Sequence, residues 1–338
     1  LSILSQEIFL PEGWFIFSSY VTPEDPAMSS VVNDLSDNLE ILKNYAGEVY
    51  WPLFGINTIG DIDPNQGYYI KMNSDDTLYI EGNQVSSDTP ISIPMGWYIT
   101  SYLHQNPYDV VDMMAPIASD LEILKSYAGN VYWPLFGINT IGNMQPGWGY
   151  YLKANNSTTL SYPDFSNGRL GFIEDEFISL KYRRPINTGN NMTLGIPDNV
   201  WLSKPILGDE IVIYDQNNLI VGNDKYRVEG SVITIWGDDN LTSEKDGLFA
   251  GEKFIIKLFR HQELITETVV VSAWERGSGS YIVNGISIVG SMDSSFSGTR
   301  RLIKATDVIG REIDINSKNG TILYIYDDGT IERKHIIK

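Results

Sequence analysis

Residues 39–60 read LEILKNYAGEVYWPLFGINTIG, and residues 121–142 read LEILKSYAGNVYWPLFGINTIG. The copies differ at two positions, Asn44 against Ser126 and Glu48 against Asn130, and Trp51 and Trp133 set the offset at 82. So close a duplication sets the domain plan before any single motif does. It also argues against an active site, since catalysis rarely needs the same surface twice. Within the phrase, LEILKNYA reads as a strand, Gly47 and Glu48 as a tight turn, and VYWPLFG as a returning strand. Pro52 inside that run predicts an edge position or a bulge. Alternation sends Tyr50 and Trp51 to opposite faces of the sheet, so at most one of them belongs to the core.

Working outward, GWFIFSSYV (13–21) reads as a strand entered through Gly13, and Pro23 and Pro26 force an irregular segment after it. Val31, Val32, Leu35 and Leu39 have the spacing of a short amphipathic helix. GYYIKM and TLYIEG are expected to close the unit as a hairpin turned between Asn73 and Asp76. The second copy repeats the order through GWYITSYL (96–103), Val110, Val111, Met114 and Ile117, then GYYLKA and TLSYPD. Gly13-Trp14 aligns with Gly96-Trp97 at offset 83, so one residue is missing between strand and helix, where a loop tolerates it.

Beyond Asp164 the pattern changes. FISLKY, NMTLGI, DEIVIYD, NLIVG, SVITIWG, KFIIKLF, ETVVVSAW and YIVNGISIVG predict eight short strands, an antiparallel β-sandwich. GSMDSSFSG (290–298) reads as a linker. Residues 299–338 carry eight Lys or Arg and six Asp or Glu, a charge of +2 in a chain of net −19. Asp328-Gly329 lies there between two alternating runs, a hairpin signal because type I′ turns need positive φ. The expected fold is mainly β with one short helix per repeat. Modules span 9–84, 85–165, 166–290 (sandwich) and 291–338 (linker and small C-terminal β domain). LSILSQEIFL is expected to begin, through residue 8, as the end of a preceding module.

The net charge of −19 argues against nucleic acid and against anionic membrane surfaces. Without cysteine there are no disulfides and no thiolate metal sites. No apolar run approaches the roughly 20 residues of a membrane span.

Three parts resemble secreted surface proteins of the Bacteroidetes group. The repeat frame is Gly13-Trp14-Phe15-Ile16 or Gly96-Trp97-Tyr98-Ile99, then Tyr-Trp-Pro, then Gln66-Gly67-Tyr68-Tyr69-Ile70-Lys71. It resembles a small module of large secreted proteins in which a GxGYxIK strand follows a Gly-Trp strand. Gly208-Asp209-Glu210-Ile211, Trp236-Gly237-Asp238-Asp239 and Lys245-Asp246-Gly247 resemble β-sandwich modules of the same kind of protein. Leu302-Ile303-Lys304, Asp307-Val308-Ile309-Gly310-Arg311-Glu312 and Tyr326-Asp327-Asp328-Gly329 resemble the C-terminal sorting domain of type IX secretion cargo. That resemblance makes Asp307, Gly310, Arg311, Asp328 and Gly329 the sorting signal. It implies recognition by the type IX translocon and its outer-membrane shuttle, with display or release at a Gram-negative cell surface. This copy is short, which leaves open whether strands near Tyr281–Val289 complete it.

His104, His261 and His335 fall in different modules, which argues against a His-based triad or zinc site. Asp238, Asp239, Asn240 and Asp246 cluster hard oxygen ligands in a Gly-bounded loop, a candidate calcium site, although without the order of an EF-hand. Calcium is therefore the one cofactor to test. Trp51, Trp133, Tyr69 and Tyr151 recur in both repeats and are the candidate ligand-binding aromatics, since such rings stack on sugars. A core role for them competes with that reading, because small modules need large side chains to fill a core. Asp76-Thr77-Leu78 resembles the Bacteroidetes O-glycosylation signal. The expectation is a non-catalytic secreted or cell-surface adhesion protein. Its partners are surface glycans or other surface proteins. The alternative is a carbohydrate-binding accessory region of a larger enzyme.

Overall fold

The computed structural model describes residues 3–35, 37–164, 180–293, 302–307, 310–312, 320–326 and 331–336. It is mainly β, with one short helix in each repeat, Met28–Val31 and Val110–Met114, each running into a 3-10 turn.

Each repeat is built on a five-stranded sheet. In the first, Gly13–Phe17, Tyr68–Met72, Leu39–Lys43, Val49–Trp51 and Ile56–Asn57 lie side by side in that order. In the second the order is Gly96–Thr100, Tyr150–Ala154, Leu121–Lys125, Val131–Trp133 and Ile138–Asn139. Alternation divides the side chains between two faces. Phe15, Phe17, Tyr68, Ile70 and Met72 fill the first repeat's own core. Tyr98, Tyr132, Tyr150 and Leu152 fill the second's. The opposite face of each sheet is left to meet something else.

Three local expectations need correction. Tyr68–Met72 and Asp76–Gln84 do not form a hairpin. The second strand pairs instead with Leu4–Leu10 and with Val21–Pro23. The turn between them is tied elsewhere, because the Asn73 N–H donates to the Asn38 carbonyl at 2.8 Å. The second repeat does the same, with Asn155 N–H on the Asp120 carbonyl and Thr158–Leu160 paired with Ile91–Ile93. It follows that Leu4–Leu10 is the opening strand of the first repeat and not the end of a preceding module. Finally, Pro52 lies on neither an edge nor a bulge. It opens the 3-10 turn Pro52–Phe54, where its missing N–H costs nothing, and Gly55 closes that turn at φ +63°.

The repeats pack on each other about a pseudo-twofold axis. The Gly67 N–H donates to the Ile99 carbonyl and the Gly149 N–H to the Ile16 carbonyl, both at 2.9 Å. These are the same contact made in both directions, as in an isologous dimer interface. At the axis a Cβ on Gly67 would stand 3.1 Å from the Gly149 Cα, which is why both positions lack one.

The third module is a single seven-stranded sheet. Its order is Ile220–Lys225, Glu210–Tyr214, Ile255–Arg260, Ile265–Arg276, Ile286–Asp293, Asn191–Ile196, Ser231–Trp236. The sheet curls towards closure and is sandwich-like, with apolar side chains from Met192 to Met292 inside. The two outer strands meet at Gly222, where a Cβ would lie 2.5 Å from the Thr234 carbonyl. Seven of the expected eight strands are present in the described residues. Of FISLKY (177–182), the first three residues lie outside the described residues and the rest is not strand. One pair, Asn191–Ile196 with Ile286–Asp293, is parallel where antiparallel pairing was expected. At the tail, Leu302–Thr306, Gly320–Tyr326 and Ile331–Ile336 form a three-stranded antiparallel sheet.

Candidate functional site

The third module meets the outward faces of both repeat sheets, through Trp14 and Lys71 of the first and Trp97, Lys125 and Trp133 of the second. In the first repeat, the Trp14 indole N–H donates to Asp239 Oδ2 at 3.0 Å and Lys71 Nζ reaches the same oxygen at 2.9 Å. Lys71 also pairs with Glu40 at 3.2 Å, and Lys43 Nζ lies 4.2 Å from the Trp14 ring centre. Burial alone would raise the Asp239 pKa, but the hydrogen bonds from Lys71, Trp14 and the Leu241 N–H hold it below the usual carboxylate value. Gly189 lies against the Trp14 ring, where a Cβ would come within 2.6 Å of it.

The second repeat places the same residue types against different partners. Lys125 is fully buried, donates to Asn191 Oδ1 at 2.7 Å and lies 4.6 Å from the Trp97 ring centre. Burial, with the nearby charge of Lys153, lowers its pKa to about 7. Glu122 pairs with Lys153 at 3.1 Å and with Arg276 of the third module. Trp133 is buried against Gly195, Val232, Ile286 and Ile288. Thr234 closes the joint by donating to the Gly129 carbonyl at 2.8 Å.

The candidate aromatics therefore go to three different places. Tyr69 and Tyr151 meet each other across the pseudo-twofold with ring centres 5.9 Å apart, beside Trp14 and Trp97 respectively. Trp133 is 1% exposed between modules, and Trp51 is half-buried beside Phe54. They do not form a shared platform. Among the described residues, Trp51 and Trp133 instead belong to equivalent surfaces, one covered and one open.

The candidate calcium ligands are committed to the protein. Asp239 holds Lys71 and Trp14. Asp246 Oδ1 accepts the Asp239 N–H, and Asp238 Oδ1 accepts the Asp246 N–H. Among the described residues no group of three or more His, Cys, Asp or Glu is placed to hold a metal ion. The carboxylates of Asp238, Asp239 and Asp246 cap turns within the loop. Asn240 lies within the same loop. His104 is buried among Tyr102, Tyr108 and Tyr162 and its pKa is lowered by that burial.

At the tail, Asp307 and Arg311 close a tight turn around Gly310, which sits at φ +83°. The Arg311 N–H and Nε both donate to the Asp307 carboxylate at 2.9 Å. Asp328 and Gly329 lie outside the described residues, but the strands flanking them are paired as a hairpin requires.

A cleft of about 330 Å³ opens where all three modules meet, its lining including Trp14, Tyr127, Trp236, Arg184, Asn187 and Asp224. Asn187 spans its base, donating to the carbonyls of Trp14 and Tyr127. Arg184 pairs with Asp224 at 3.3 Å and is half exposed. Sequence reasoning missed Asn187, Asn191 and Gly195. Nothing within their own segment marks them, because the groups they serve lie on other modules. The chain matches no known protein family, no curated protein and no solved structure.

Proposed function

We propose that the chain is a non-catalytic structural segment of a secreted or cell-surface adhesion protein, exported by the type IX system through its C-terminal domain. One observation carries the structural half. The opening tryptophans Trp14 and Trp97 and the lysines Lys71 and Lys125 are taken up in the joint with the third module, which is what a stiff spacer needs and a ligand platform does not. The resemblance of residues 302–329 to sorting domains supports the export half. Deleting residues 299–338 in a host with type IX export is expected to trap the protein in the periplasm. Normal surface display of the deletion would refute that half.

The junction cleft favours a second reading, carbohydrate binding as an accessory to a larger enzyme. A lining that combines aromatic side chains with Arg184, Asn187 and Asp224 suits a polar ring with hydroxyl groups. Screening the whole chain on a glycan array separates the two. The structural reading expects no binding, while binding lost in Arg184→Ala and Asp224→Ala would favour the second.

A further inference from the structure

Three ionisable side chains converge beside Trp14. Lys71 Nζ lies 2.9 Å from Asp239 Oδ2 and 3.2 Å from Glu40 Oε2. Lys71 and Glu40 stand on neighbouring strands of the first repeat, and Asp239 comes from the third module. The contact is sheltered, with the lysine and aspartate side chains 13% and 6% exposed. Two further donors fix Asp239, the Trp14 indole N–H on Oδ2 and the Leu241 N–H on Oδ1, both at 3.0 Å. Burial is the largest influence on both partners and favours the neutral amine and the neutral acid. Their mutual contacts outweigh it, so Lys71 stays above its ordinary pKa and Asp239 below.

An amine, a carboxyl group in contact with it and a second carboxylate on the same nitrogen are the parts an amide condensation needs. That reaction is unfavourable between free groups in water. Oriented partners in one molecule, however, gain effective molarities on the order of 10⁵ M or more. A sheltered site also takes away the stabilisation that water gives to the separate ions. The second repeat separates these parts. Glu122 holds Lys153 at 3.1 Å, but the third-module residue that meets Glu122 is Arg276. Lys125 donates to the Asn191 amide at 2.7 Å, but among the described residues no carboxylate pairs with it. The joint of the first repeat has all three parts together.

We propose that Lys71 and Asp239 condense into an isopeptide bond that ties the first repeat covalently to the third module. A proton passes from Nζ to Oδ1, giving the neutral pair. Nζ then attacks Cγ, and Glu40 accepts the proton that the nitrogen sheds. The Trp14 N–H stabilises the negative charge that develops on Oδ2. Glu40 returns the proton to Oδ1, the Cγ–Oδ1 bond breaks, and Oδ1 leaves as water. The Nζ–Cγ amide remains with Oδ2 as its carbonyl oxygen. Glu40 is regenerated, and nothing is oxidised or reduced. The inference is independent of the export and carbohydrate readings, because it concerns a bond within the chain.

Intact-mass spectrometry of the full chain, unfolded in denaturant so that only covalent links survive, tests it. The wild type is expected to be lighter than its sequence mass by one water. A proteolytic digest is expected to yield a branched peptide that joins Lys71 to Asp239. Glu40→Gln keeps a hydrogen-bonding group beside Lys71 and removes the base, so its full sequence mass is expected. Lys71→Arg is expected to behave in the same way. Glu122→Gln, the equivalent change in the second repeat, is expected to keep the deficit. A wild type at its full sequence mass overturns the proposal. So does a water deficit that survives Glu40→Gln or Lys71→Arg. A deficit of one ammonia in place of one water also overturns it, and would point to the pair of Lys125 and Asn191 instead.

Discussion

Lys43 and Lys125 hold the same place in the two repeats, each over the ring of the opening tryptophan, but Lys125 is sealed by the third module. Burial brings its pKa to about 7 in the folded protein, against about 10.4 in an unfolded chain. Between those values the unfolded chain binds more protons, so stability rises with pH across that window. The folded pKa of Lys43 is lowered in the same sense. The melting temperature is therefore expected to be higher at pH 9 than at pH 7, and Lys125→Met is expected to flatten most of that rise. A rise unchanged in the variant would count against the assignment. On the first repeat, Asp239→Ala leaves the Trp14 indole N–H unpaired and removes one of the two carboxylates of Lys71. Breaking a buried pair in this way costs about 3 kcal/mol, readable by denaturant titration.

At the scale of the element, the repeat joint depends on Gly67 and Gly149. Gly149→Ala would place a Cβ 2.7 Å from Ile16 Cγ2 and 2.9 Å from the Phe17 carbonyl, atoms held by the opposing strand. We expect a loss of about 1–3 kcal/mol, the usual cost of overpacking. A neutral substitution would mean that the two repeats do not press together there. Much of the element scale was legible in the sequence. The alternation that separated Tyr50 from Trp51 holds in the second copy, where Tyr132 joins the core and Trp133 the joint. The strand pairing of Asp76–Gln84 was not legible, because its partners, Leu4–Leu10 and Val21–Pro23, lie more than fifty residues earlier while the local turn suggested a hairpin. The role of Gly195 was equally hidden. A glycine in a strand predicts close approach but does not name what approaches.

For the whole molecule, the duplicated phrase has two fates among the described residues: Trp133 is packed against the third module, while Trp51 is half-buried beside an exposed Phe54. The carboxylates at Asp238, Asp239 and Asp246 serve this assembly, so neither EDTA nor calcium is expected to move the melting temperature. A calcium-dependent rise would show that the loop binds the ion. What ties the modules together is a set of contacts 60 or more residues apart, including Trp14 to Asp239, Lys125 to Asn191 and Trp133 to Gly195. Repeats and third module should therefore open together. Hydrogen exchange on the full chain carrying Trp133→Ala tests this most directly. Faster exchange is predicted not only in Val131–Trp133 but also in Leu121–Lys125, Asn191–Ile196 and Ile286–Asp293. Loss of protection confined to residues around 133, with the third module unchanged, would contradict it.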